Sequence, residues 1–280
     1  MSVYTRIEHF KKCIEALKKS DLAESTDLYI YSDAASVSEH KEQVELVRSY
    51  ANSITGFRKV YVIEREENLG GVRNALSAIY EMMERFSRII FLEDDIVTAP
   101  GFLPFMNEAL NFYENDQRVL SIVGYCPPID IPDDLVADTF CMPRYSGWGS
   151  GIFSRTLEAL KTKIDPQEFE KIEDQELFKK CGPDVLRMVL KEVGGTLDAA
   201  DVRCMYRQAI DGTMTIYPKK SLVQNIGHDG TGYHCGNTSR FHHDSLWDKE
   251  NGFKFDSTLF LDERILKANY EFRSFGKPIN

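Results

Sequence analysis

The tetrapeptide Ile89-Ile90-Phe91-Leu92 contains no polar residue, and Glu93-Asp94-Asp95 follows it without a break. An uninterrupted apolar run of this length marks a strand buried on both faces, as strands are in a parallel sheet covered by helices. Three carboxylates then stand at the C-terminal end of that strand, where open α/β sheets place their ligands. Successive side chains of a strand alternate between faces, so Glu93 and Asp95 are expected on one face, with Asp94 turned away or capping the next turn. Carboxylate oxygens are hard ligands suited to Mg²⁺ or Mn²⁺, ions that usually take one or two carboxylates and complete their shell with substrate phosphates. The plainer account of the same residues is a solvated turn capping the helix that begins near Phe102.

The chain around this motif alternates helical and strand patterns. Phe10, Ile14 and Leu17 recur at helical spacing over residues 7–19. Leu28-Tyr29-Ile30-Tyr31 reads as a strand ending at Ser32-Asp33, and a polar helix over 38–52 leads to the strand Val60-Tyr61-Val62-Ile63. Helices over 70–85 and 102–113 flank the acidic motif, and Val119-Leu120-Ser121-Ile122-Val123 follows. This order predicts an α/β fold: a Rossmann-like, mostly parallel sheet with right-handed crossovers and helices on its faces. After Gly124 the regularity stops. Cys126-Pro127-Pro128 and Ile131-Pro132 read as loop, 147–151 as a glycine-rich turn, 166–192 as acidic helices, and 225–235 as a second glycine-rich polar segment. No linker is evident. The expectation is one domain over 1–280, with a nucleotide-binding half at 1–125 and an irregular acceptor-binding half with a C-terminal tail at 126–280.

Composition removes several classes of function. The 44 Asp+Glu outnumber the 34 Lys+Arg, giving a formal charge of -10, so nucleic acid is not an expected partner. The six cysteines (13, 126, 141, 181, 204 and 235) have no C-x-x-C spacing, which argues against a zinc site or disulfide framework and fits a reducing cytoplasm. No apolar run approaches the ~20 residues of a membrane span, and the first residues are too polar for a signal peptide. A cytoplasmic location is expected, with peripheral attachment at the inner face of the membrane left open because many transferase acceptors are lipid-linked. Hydrolase, P-loop, zincin and dinucleotide motifs are missing.

Further candidates sit in the loops. Glu67-Asn68-Leu69-Gly70-Gly71-Val72-Arg73-Asn74 opens a helix after a strand, where glycine permits close backbone approach and a helix N-terminus attracts a diphosphate. The same residues are also ordinary helix-capping chemistry. Asp33 is placed to accept bonds from a base or ribose, or to cap its own loop. His228 and His234 flank Asp229, and imidazole can ligate a metal or bind phosphate. Trp148 lies between two glycines, able to stack on a sugar or to anchor a loop.

Taken together, Asp33, Asn68-Leu69-Gly70, and Phe91 to Ile96 followed by Phe102-Leu103 resemble GT-A-fold glycosyltransferases. Glu93-Asp94-Asp95 is similar to the acidic tripeptide of the N-acetylglucosaminyltransferase I family. The segment from Pro218 to Gly227, with Gly232 to Cys235 after it, resembles bacterial sugar transferases of family-2 type. The resemblance spans Val3 to about Gly236. It implies transfer of a sugar from a nucleotide-diphosphate donor to a saccharide or lipid-linked saccharide acceptor, in surface polysaccharide or glycolipid synthesis. It further implies Asp95 as ligand of Mn²⁺ or Mg²⁺, Glu93 and Asp94 on the ribose or base of the donor, and Asp33 on its nucleotide. Local setting adds His234 as a second metal ligand, Arg73 as a phosphate contact, and Asn68 and Trp148 on the donor. An inverting transfer needs a general base beside the acceptor hydroxyl. Asp201 is the closest match, because Arg203 follows it and a buried helix from Met205 would orient it; Asp198 is the alternative. Asp174 reads as a solvated helix position.

Only Met1-Ser2-Val3-Tyr4 precedes the expected Thr5-Arg6 turn, so the first strand is expected to fall short of the ~5–6-residue average, and a strand cut short there would weaken the base-binding edge. Two other functions compete: a sugar nucleotidyltransferase, disfavoured because Thr5 to His9 holds no glycine, and an inactive paralogue serving as a scaffold.

Overall fold

The computed structural model describes residues 1–232 and 236–274. In chain order the first elements are β1 (Ser2–Val3), α1 (Ile7–Leu17), β2 (Asp27–Ser32), α2 (Lys41–Ser53), β3 (Lys59–Glu64), α3 (Gly71–Met83), β4 (Arg88–Phe91), β5 (Ile96–Thr98), α4 (Phe102–Phe112) and β6 (Val119–Val123). Then follow β7 (Thr139–Met142), β8 (Ser150–Phe153), α5 (Ser154–Lys161), α6 (Pro166–Phe169), α7 (Val185–Val193), α8 (Ala200–Asp211), β9 (Met214–Pro218), β10 (Val223–Asn225) and α9 (Glu263–Ser274). The strands and helices expected before Gly124 are all present, with ends shifted by up to three residues. Their apolar spacing explains them: α1 buries Phe10, Cys13, Ile14 and Leu17, one stripe of a 3.6-residue helix.

The fold is mixed α/β, with a parallel three-stranded sheet ordered β1-β2-β3 and a five-stranded sheet ordered β4-β8-β6-β9-β7. β1 joins them. Ser2 pairs with Tyr31 of β2 on one side and bridges Glu93, just past β4, on the other. The backbone N–H of Ser2 donates to the Leu92 carbonyl at 3.3 Å, and that of Tyr31 to the Met1 carbonyl at 2.9 Å. Two residues of strand are therefore enough to align the C-terminal ends of β2 and β4 along one edge.

The five-stranded sheet departs from the simple parallel scheme. β8 runs antiparallel between β4 and β6, and β7 antiparallel on β9, while β6 and β9 are parallel. The expected turn at 147–151 thus overlaps a fully buried strand. Ser150 and Gly151 carry no apolar signal, yet smallness is what the position demands. A Cβ on Gly151 would lie 2.9 Å from Leu110 Cδ2 and 3.1 Å from both Ile122 Cβ and Met106 Cε, so α4 packs directly on the strand's backbone. β5 and β10 form a separate antiparallel ribbon that crosses the same edge, pairing Asn225 with Ile96.

Two cores enclose the sheets. One gathers Phe10, Ile14, Phe102, Phe105, Ile122 and their neighbours from both ends of the chain. The other lies under α5, α7 and α8, around Ile152, Phe178, Val185, Val189 and Met205. The described cysteines, Cys13, Cys126, Cys141, Cys181 and Cys204, are buried free thiols. No helix among the described residues is long and apolar enough to cross a membrane.

The close contact at Gly151 yields a direct test. Gly151→Val adds a β-branched side chain where α4 leaves no room, and overpacking of this kind costs about 1–3 kcal/mol. A lower urea midpoint with an unchanged m-value is the expected result; an unchanged midpoint would mean that α4 does not rest on β8.

Candidate active site

β2 ends at Ser32 and delivers Asp33, 3% exposed, to the sheet edge. Its carboxylate accepts four hydrogen bonds: Oδ1 from the Ala34 and Leu69 amides, both at 2.9 Å, and Oδ2 from the Gly70 amide at 2.9 Å and Asn68 Nδ2 at 3.1 Å. Those donors use the carboxylate's full capacity. Asp33 therefore fastens the 66–70 loop to the end of β2, and what it presents outward is that loop. Asn68 also donates to the Ala34 carbonyl at 2.6 Å. The loop runs into the N-terminus of α3, where Arg73 in the first turn is exposed and makes no ion pair among the described residues.

At the end of β4 the chain does not continue as a strand. Glu93 makes one bridge to Ser2, and Asp94-Asp95 turns before β5 begins. The alternation expected for an extended chain fails for that reason: Asp94 and Asp95 do not point apart but share one cation. Arg6, the residue preceding α1, donates through Nη2 to Asp94 Oδ1 and, at 2.9 Å, to Asp95 Oδ2. Its guanidinium is held well above its ordinary pKa by the two carboxylates, against the opposing effect of burial. Burial raises the Asp94 carboxyl, with Arg6 opposing. Glu93, half-buried, is pushed up to about 8, chiefly by desolvation and then by the charges of Asp95 and Asp94; Arg6 works against this, and Asp201 adds a smaller push.

Asp95 is 4% exposed, and its Oδ1 is buried with no hydrogen-bond partner. Its carbonyl accepts from the Ile226 amide at 2.9 Å, which draws the segment after β10 across the acidic turn. Gly227 then passes so close that a Cβ there would lie 2.1 Å from Asp95 Oδ2 and 3.0 Å from Arg6 Nη1. The next residue, His228, is half-buried with neither ring nitrogen bonded. Burial lowers its pKa while the Asp95 charge pulls the other way. Its ring packs on Trp148 at 5.3 Å and on Phe241 at 4.9 Å. His9 of α1 adds a second tie, its Nε2 lying 3.0 Å from Asp229 Oδ2.

Asp201 lies in the first turn of α8, which begins at Ala200 rather than near Met205. Its side chain is exposed, accepts from the Val202 amide at 3.0 Å, and is close enough for its charge to act on Glu93 and Tyr145. Asp198 is engaged elsewhere: it pairs with Arg203, whose Nε also binds Glu192 at 2.6 Å inside the second core. Asp174 caps a short 3-10 turn through the Glu176 amide at 2.9 Å. Trp148 is half-buried in an aromatic cluster, 4.6 Å from Tyr125. His234 lies outside the described residues. Arg6 is the functional residue that sequence reasoning missed. Read as part of a turn, it had one available signal: a lone cation between the first strand and the first helix, where an acidic edge would need one.

Among the described residues, no three His, Cys, Asp or Glu side chains gather into a metal-binding group. What the edge offers a cation is Asp95 Oδ1, a buried and unpartnered carboxylate oxygen beside crowded acids. One such oxygen fits a divalent ion that takes its other ligands from a diphosphate.

Two outcomes follow from this geometry. Asp33→Ala leaves the Leu69 and Gly70 amides without their acceptor, and the loss is expected to be roughly 3 kcal/mol, read by urea unfolding; no loss would mean that the loop holds itself. For Glu93, a folded-state pKa raised from 4.5 to about 8 keeps the proton on the folded chain after the unfolded chain has lost it. Stability should therefore fall as pH rises across that window and be fully reduced above it. Glu93→Gln should flatten the slope and melt higher than the parent at the alkaline end. Parallel pH profiles for the two proteins would refute the crowding.

No protein-family model and no curated protein matches the sequence. Among solved structures the chain is similar to the crystal structure of S. aureus TarS, at 14% identity and a TM-score of 0.38, over 64% of this chain and 32% of that one. The chain thus spans about a third of the length of that relative.

Proposed function

We propose that the protein transfers a sugar from a nucleotide-diphosphate donor to an acceptor hydroxyl, as the resemblance to GT-A glycosyltransferases implies. The observation that carries this reading is convergence at one sheet edge. The Asp33-held loop and the N-terminus of α3 lie past β2, Glu93 to Asp95 lie past β4, and β1 sets the two side by side.

In this reading the 66–70 loop and Asn68 receive the nucleoside, and the first-turn amides of α3, with the exposed Arg73, face the diphosphate. Arg6 holds Asp94 and Asp95 in place and leaves the buried Asp95 Oδ1 without a partner. A divalent cation, Mn²⁺ or Mg²⁺, when bound, would be held by Asp95 and would stabilise negative charge on the departing diphosphate. Glu93, at the same turn, contacts the ribose or base of the donor. Asp201, exposed and within electrostatic reach of Glu93, is the general base that takes the proton of the acceptor hydroxyl. Asp198 is not assigned that role, because its carboxylate is bound to Arg203.

Thermal shift with UDP-, GDP-, dTDP- and CMP-sugars, with and without Mn²⁺, tests the donor. One nucleotide class should stabilise the protein, more so with the ion. Asp95→Asn should lose the cation-dependent part of that stabilisation. Asp201→Asn should keep it while turnover falls by about 10²–10⁴, the usual share of a general base. Donor binding by Asp95→Asn equal to the parent's, with and without the ion, would remove Asp95 from the site; full turnover by Asp201→Asn would remove the base.

A further inference from the structure

Beyond the acidic turn, a second set of polar groups lacks partners, and it is concentrated in one place. Tyr125 Oη, both ring nitrogens of His228, His243 Nε2, Arg240 Nη2 and Arg273 Nε are all buried without a hydrogen bond. The residues that carry them belong to one aromatic cluster. Tyr125 is 4.6 Å from Trp148 and 5.9 Å from His243, ring to ring, and Trp148 is 5.3 Å from both His228 and Phe241. Arg240 and Arg273 lie over Phe272 at 4.7 and 5.5 Å and over Phe241 at 5.7 and 5.5 Å. Tyr125 is only 1% exposed, so its hydroxyl has no access to bulk water. Orphaned polar atoms are individually unfavourable and rare in folded chains. Six of them around one cluster call for a ligand.

The charge of that ligand follows from the arginines. With 44 Asp+Glu against 34 Lys+Arg, carboxylates are in surplus, yet neither Arg240 nor Arg273 has an ion pair among the described residues. The neighbouring Asp184 is already taken by Arg144 through two bonds at 2.9 Å. Arg273 sits close enough to Arg144 for the repulsion, added to burial, to bring its pKa down to about 10. Two arginines stacked on rings, with two histidines and a phenol beside them, complement an anion.

The sheet order gives its place in the reaction. Phe91 and Val123 both pair with Ser150, so the start of β8 and the end of β6 meet the same edge as Glu93. Both strands lie on the side of β4 away from β1 and β2, hence away from the Asp33 loop. The cluster nevertheless adjoins the acidic turn, because His228 follows Gly227 and feels the Asp95 charge.

We propose that this cluster is an acceptor subsite for an anionic saccharide: Arg240 and Arg273 bind a phosphate or carboxylate group of the acceptor, and its sugar ring lies against Trp148. Naming it an acceptor subsite rests on the transferase reading. Its capacity to bind a charged saccharide does not.

Trp148 supplies the readout. The chain has two tryptophans, so Trp247→Phe leaves Trp148 as the only one. In that background the full chain is titrated with glucose 6-phosphate, glucuronate and glucose, following emission. One or both charged sugars should change it saturably, and glucose at the same concentration should not; a response to phosphate alone or to carboxylate alone identifies the anion. Arg240→Gln should weaken that binding at least tenfold, and Arg240→Lys should restore much of it. Arg273→Gln should act in the same direction, and if it fails to fold, the Arg240 pair carries the test. Equal responses to all three sugars, no response to any, or unchanged affinity in Arg240→Gln would overturn the proposal. Displacement of glucose 6-phosphate by UDP or GDP would also overturn it, because the cluster would then belong to the donor. Charged-sugar binding that persists in a protein binding no nucleotide sugar would support the anion site while removing the transferase reading.

Discussion

Consecutive carboxylates at the end of a strand repel one another unless a proton or a cation offsets their charge. Here that cation is Arg6. Its guanidinium spans Asp94 and Asp95, and its position at the start of α1 ties the acidic turn to the first strand and first helix together. Cys13 of the same helix donates to the Asp94 carbonyl at 3.0 Å, so α1 holds the turn at two points. From the other side, Ile226 bonds the Asp95 backbone and Gly227 closes over its side chain with no room for a Cβ. Three parts of the chain, remote in sequence, thus meet at one ion-paired turn: residues 6–13, 94–95 and 226–227.

Neutralisation by Arg6 is incomplete, and the remainder has chemical consequences. Burial first, and then the charges of the two aspartates that one guanidinium serves, push the Glu93 carboxyl up to about 8. Asp95 Oδ1 stays unpartnered. The edge therefore holds a carboxyl pushed up by burial, a buried and unpartnered carboxylate oxygen and, past β2, a loop whose amides are organised by Asp33. The sheet separates these functions by strand order: the organised loop lies over β1 and β2, the acids over β4, and the arginine-bearing aromatic cluster beyond β8 and β6. The proposed transfer places the donor and the second substrate in that order along one edge.

What the sequence disclosed and what it concealed follow a physical rule. Strand β6 was legible because burial on both faces leaves a continuous apolar run; β4, expected to be fully buried, is an edge strand of the five-stranded sheet with Ile89 and Ile90 half-buried against the two cores. Helices such as α1 were legible because burial on one face leaves a stripe. β8 was hidden: the contact with α4 requires a small residue, and Ser150-Gly151 looks like a turn. The acidic motif and the Asn225-Ile226-Gly227 segment were visible as motifs, but the alternation assumed for Glu93 to Asp95 belongs to a strand, and the chain turns there. Arg6 could not be paired with its surroundings from sequence, because its partners lie 88 and 89 residues away, and the repulsion of Arg273 by Arg144 was equally hidden, because the two stand far apart along the chain. Asp33 was found, and its alternative as a loop cap is the role its four bonds describe.

In the proposed function, the edge built on the Asp33 loop and the Arg6-held turn binds a nucleotide-diphosphate sugar. Amide hydrogen exchange of the full chain, with and without a stabilising nucleotide sugar and Mn²⁺, reads that edge residue by residue. The account predicts slowed exchange at 68–73, 94–96 and 226–228, with the edge strand β3 and the helices under the second core unchanged. Protection confined to other surfaces, or none at these three segments under saturating donor, would contradict it.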